Sequence, residues 1–111
     1  MKDMIPEQFT VGPYDYTVQW ISHKKLAKMA GGPAWGACQP DRERILLSKK
    51  LLEREGWFLY QVWLHELNHA CLYALGYNNH DEVLVDGLAS MFTQVLQSSV
   101  YEETEEGEET P

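Results

Sequence analysis

Basic charge is scarce in this chain of 111 residues: nine Lys and Arg stand against seventeen Asp and Glu, for a net charge of −8. Displacing counterions from phosphates takes a positive field, so nothing here points to a nucleic-acid partner. The acidic excess is itself local. Glu102, Glu103, Glu105, Glu106, Glu108 and Glu109 crowd into residues 102–109 and leave 1–100 nearly neutral. Cysteine is scarcer still. Cys38 and Cys71 are too few for a disulfide framework and wrongly spaced for a metal knuckle. With no secretory leader at Met1 to Ile5, a reducing cytoplasm is expected. A clean apolar run is also missing. Trp57 to Leu75 is helix-length, but Gln61, His65, Glu66, Asn68 and His69 interrupt it at a depth where a bilayer would make them costly, so no membrane span is expected. What is present, 44% hydrophobic and 12% aromatic residues, suffices for one small core. A single domain over 1–100 is expected, followed by a disordered acidic tail over 101–111.

The apolar patterning predicts an α+β fold: a short antiparallel sheet packed on two or three helices. Tyr16, Val18 and Trp20 alternate with polar neighbours as a strand, and Gly12-Pro13 lets a short strand at Phe9–Val11 pair back on it. Residues 22–30 suit a helix capped by Ser22, with Leu26 and Met29 inward and Lys24, Lys25 and Lys28 in solvent. Pro40-Asp41-Arg42 between Ala34–Gln39 and Glu43–Ser48 predicts a β-hairpin. A long helical region follows from Lys49 to Leu75, breakable at Gly56 and ended by Gly76. A last helix from Glu82 to Ser98 offers Val85, Leu88, Ala89, Phe92, Val95 and Leu96 as its apolar stripe.

Chemistry concentrates in His65-Glu66-Leu67-Asn68-His69, an H-E-x-x-H inside the helical region. Spacing of i,i+4 stacks two imidazoles on one face, about 5–6 Å apart at Cβ, which suits two ligands of one tetrahedral metal. Glu66 is displaced by about 100° of rotation and can take a proton from water at the open position without coordinating. The plainer alternative is two partly buried histidines satisfied by hydrogen bonds, with Glu66 on a solvated edge. Trp63, Leu64, Leu67, Ala70 and Cys71 argue against it, because three polar groups would enter an apolar helix face with no partner.

A third ligand is needed, and the sequence offers two candidates. Glu82 with Asp86 forms Glu-x-x-x-Asp on one face of the last helix, so Glu82 can coordinate while Asp86 accepts the N–H of a ligating histidine. Gly87 would fit a close helix–helix approach there. Asn79 to Glu82 also reads as a capping box, which would occupy Glu82 otherwise. The second candidate is His80. The extended metzincin pattern is absent, since Leu72 and Leu75 stand where its glycine and third histidine belong.

His65-Glu66-Leu67-Asn68-His69-Ala70, the Glu82–Asp86 pair and the small size resemble a minimal zincin. The similarity is to gluzincins, to ImmA/IrrE-type proteins and to small metallopeptidases carried by phages and prophages, over roughly residues 16–98. The resemblance implies a Zn²⁺ peptidase acting on a protein or peptide, with His65, His69 and Glu82 as ligands, Glu66 as general base and Asp86 as supporting carboxylate. With His80 as third ligand the plan would instead resemble SprT-like proteases. Zincins bind substrate extended along a sheet edge, here a strand of the 34–48 hairpin. Tyr73, Tyr77 and His23 are the available donors to an oxyanion. Two rivals remain: a phage accessory binding protein that keeps a structural or vestigial metal site, and a metal-free helical interaction module.

Overall fold

A computed structural model describes residues 2–54, 56–100 and 102. The expected acidic tail lies outside the described residues, Glu102 apart. Four strands, β1 (Gln8–Val11), β2 (Tyr14–Ile21), β3 (Gly36–Gln39) and β4 (Arg44–Ser48), form one sheet in the order β1-β2-β4-β3. Three α-helices accompany it: α1 (His23–Ala30), α2 (Phe58–Ala74) and α3 (Glu82–Ser98). The molecule is α+β, as the patterning predicted.

The β1–β2 and β3–β4 pairs are antiparallel hairpins, joined tightly at Gly12-Pro13 and through a 3-10 turn at Pro40–Arg42. The central β2–β4 pair is parallel, with Val18 opposite Ile45 and Trp20 opposite Leu47, so the sheet is mixed rather than wholly antiparallel. Parallel neighbours need a crossover, and α1 with β3 supplies it. As an inner strand, β4 is buried on both faces: Ile45 and Leu47 join the core with Tyr16, Val18, Leu59, Val62 and Trp63, while Leu46 points to the other face. That face is where α1 packs, with Leu26 fully buried. Ser22 caps α1 as predicted, its hydroxyl accepting from the Lys25 amide, but Met29 is exposed because the short helix buries a single side chain.

The long helical region is two elements. Lys49–Glu53 is a 3-10 turn capped by Ser48, and α2 starts only at Phe58. At its far end Gly76, at φ 95°, closes a Schellman turn: its amide donates to the Tyr73 carbonyl and that of Tyr77 to the Leu72 carbonyl. The chain then returns as α3, antiparallel to α2, tied to it by Gln61–Ser90 and Asn68–Val85 hydrogen bonds. Here α3 departs from its expected stripe. Val85 and Ala89 of that stripe are buried, with Thr93 beside them, whereas Leu88, Phe92 and Val95 are exposed, because among the described residues α3 packs closely on α2 alone. Among the described residues no helix is long and apolar enough to cross a membrane.

Candidate metal centre

Helical geometry on α2 turns His65, Glu66 and His69 toward a cleft of about 490 Å³ between the start of β3 and the α2–α3 pair. Pro33, Ala34, Trp35 and Gly36 form one wall, Phe58 and Val62 the end beside them, and Glu82 and Asp86 the opposite side. Trp35 and Phe58 meet edge to face at 5.4 Å, and the Arg54 guanidinium covers the Phe58 ring at 4.2 Å.

Two ring nitrogens and the two oxygens of one carboxylate converge inside. The Nε2 atoms of His65 and His69 are 3.3 Å apart, Glu82 Oε1 lies 3.5 Å from His65 Nε2, and Glu82 Oε2 lies 3.3 Å from His69 Nε2. His65, His69 and Glu82 can therefore hold a metal ion. Glu82 reaches them because it is the first residue of α3, with Asp81 in front of it as the helix cap, accepting from the Val83 and Leu84 amides. The expected box starting at Asn79 does not form, which leaves the Glu82 carboxylate free of capping duty.

Asp86, one turn on, stands 3.3 Å from His65 Nδ1, the ring nitrogen facing away from the cluster. His80 occupies the corresponding place behind His69, with the two Nδ1 atoms 2.6 Å apart. It is thus on the far side of His69 from Glu82 and outside the converging set. Gly87 is not at a close helix contact, since a Cβ there would meet nothing within 4 Å.

Glu66 is the buried member, 7% exposed, at the border of cleft and core. Burial first, then the negative charge of Glu82, pushes its carboxyl up to about 8. A carboxyl tuned toward neutrality is suited to taking and returning a proton near pH 7. Burial also lowers the pKa of His69 and favours the neutral ring, the form that ligates. Glu66 owes its place to Gly36: a Cβ on that residue would stand 3.0 Å from Glu66 Cγ and 3.2 Å from its Oε2. Gly36 is absent from the expectations drawn from the sequence, although an isolated glycine in a predicted strand is the signal of such a close approach. Tyr73, Tyr77 and His23, the available candidates for an oxyanion donor, do not line the cleft. Tyr73 packs on the His80 ring, Tyr77 is exposed, and His23 Nδ1 is hydrogen-bonded to the Ser48 hydroxyl.

Fold and site together define a small α+β protein with a His-His-Glu cluster able to hold a metal. No family model, curated protein or solved structure matches the chain.

Proposed function

We propose that the protein is a zinc-dependent peptidase of minimal gluzincin-like plan, with His65, His69 and Glu82 as ligands and Glu66 as general base. The convergence of the His65 and His69 Nε2 atoms and the Glu82 carboxylate carries this reading. Lone pairs facing one another at 3.3–3.5 Å repel unless a cation or a shared proton lies between them. The spacing suits zinc, because donors about 2.0–2.2 Å from a tetrahedral ion are roughly 3.3–3.6 Å apart. Two imidazoles and a carboxylate also leave the fourth position open, as hydrolytic sites require.

Zinc held there supplies Lewis acidity, bringing the pKa of water down to about 7 and polarising a carbonyl. The chain's own groups do the rest. Glu66 takes the proton of the attacking water and returns it to the leaving amine. Asp86 orients His65 through its Nδ1–H. An extended peptide lies along the 33–36 wall, where β3 is an edge strand of the sheet, and sets an apolar side chain against Trp35 and Phe58. Two free thiols, Cys38 and Cys71, suit a reducing cytoplasm. Burial of Glu66 favours the enzyme over a purely structural site, which has no use for a non-ligating carboxyl inside the cleft.

The test compares wild type with Glu66→Gln on casein and a mixed peptide library. The variant is expected to keep its zinc and lose cleavage by about 10²–10⁴-fold. Equal rates in the two proteins would remove Glu66 from the chemistry. A zinc-loaded wild type that cleaves nothing would leave the metal-holding binding protein as the better reading.

A further inference from the structure

We infer that His80 is the positioning residue for His69, fixing which of its ring nitrogens faces the metal. The proposal deepens the peptidase reading and rests on it for its purpose. It starts from the Tyr77 carbonyl, which lies 2.8 Å from His80 Nε2. A carbonyl oxygen can only accept, so His80 Nε2 carries the proton. In the neutral ring His80 Nδ1 is then an acceptor, and it meets His69 Nδ1 at 2.6 Å. That contact is a hydrogen bond only if His69 Nδ1 is the donor. His69 Nε2 is left with its lone pair, pointing at His65 Nε2 and the Glu82 carboxylate. Hydrogen-bond direction is thus handed from a backbone carbonyl through two imidazoles to the metal-facing nitrogen.

The surroundings hold this arrangement in place. The His69 and His80 rings are only 19° from parallel planes with centroids 4.9 Å apart, which puts the shared proton close to the plane of both lone pairs. Tyr73 packs across the His80 ring at 4.3 Å. The Tyr77 carbonyl is presented by the turn that Gly76 closes at the end of α2. Each ligating histidine therefore has its own backing group, Asp86 for His65 and His80 for His69. Sequence spacing singles out His80 as a rival ligand, whereas the geometry gives it the opposite side of the ring.

Two measurements on the full chain test the assignment. Imidazole ¹⁵N–¹H correlation spectra of the metal-free protein at about pH 9, well above the ~6.5 of a free imidazole, are expected to show His69 as the Nδ1–H tautomer. In His80→Ala the Nε2–H tautomer should become the major form. Competition with a chromophoric zinc chelator should show His80→Ala weakened by about 10–100-fold, as for other lost supports of a ligating histidine. His80→Asn places a carbonyl oxygen where Nδ1 was and should recover affinity to within a few-fold of wild type. Thermal melts without metal identify any variant that fails to fold. Wild-type His69 as the Nε2–H tautomer, or His80→Asn as damaging as His80→Ala, would overturn the proposal. If wild type takes up no zinc, the peptidase reading fails, while the tautomer spectra still decide what His80 does to His69.

Discussion

At the scale of single residues, the site depends on what is missing at Gly36 as much as on what Glu66 carries. Gly36→Ala would drive a methyl to 3.0 Å from Glu66 Cγ and 3.1 Å from Val62 Cγ1, in a stretch where neither the strand nor α2 can easily yield. A loss of about 1–3 kcal/mol is expected, readable as a lower urea midpoint, with a displaced Glu66 and reduced cleavage. An unchanged midpoint would mean that β3 and α2 are not packed this closely. Asp86→Ala leaves His65, His69 and Glu82 in place and removes the acceptor at His65 Nδ1. Zinc affinity should fall about 10–100-fold with little change in metal-free stability, whereas Glu82→Ala should cost more because it removes a ligand. Equal affinity in Asp86→Ala and wild type would show that the solvent-exposed carboxylate does not orient the ring.

Among the elements, the helices show how far sequence reaches. The span of α3 from Glu82 to Ser98 was legible but its cap was not, since the sequence pointed to Asn79 and the helix is capped by Asp81; the end of α2 was legible because Gly76 takes a left-handed conformation. The buried line of α3 was legible only in part, through Val85 and Ala89, since periodicity reveals an apolar face without saying what covers it. Leu88, Phe92 and Val95 fit a core-facing stripe, yet α3 lies on α2 through Val85, Ala89 and Thr93. The parallel pairing of β2 with β4 was hidden for a related reason: alternation fixes which side chains face inward, and strand order is set by the crossover. Pairing of His65 and His69 followed from i,i+4 spacing, while the place of His80 depends on a turn whose carbonyl directions no spacing rule encodes. Gly87 offers a test at this scale. Its Cβ position is open, so Gly87→Ala gains helix propensity without a clash and should stabilise the protein by about 0.5–1 kcal/mol. A destabilised variant would mean that something packs closely on α3 at that point.

Over the whole molecule, stability is tied to protons and would be tied to any metal that the cluster holds. Burial pushes the Tyr16 hydroxyl and the Cys38 thiol each up to about 12, with Cys38 adding to the Tyr16 shift and Glu66 to that of Cys38. From about pH 9 an unfolded chain begins to release thiol and then phenol protons that the folded chain keeps. Stability contributed by these two groups is complete below that point and declines as pH rises toward about 12. The urea midpoint should therefore drop between pH 8.5 and about 11, and drop less in Cys38→Ala; a flat midpoint would contradict the burial of this pair. A metal held by the cluster would act through mass action, since His65, His69 and Glu82 come together only when α2 and α3 are docked. Free zinc at about 100 times its Kd should add about 2.7 kcal/mol, and a chelator should remove it. The most direct test is equilibrium dialysis against zinc of wild type, His65→Ala and Glu82→Ala. One zinc per chain in wild type and loss of tight binding in both variants is the expected result. No bound zinc, or binding that survives both substitutions, would show that the converging donors of α2 and α3 are not a metal centre.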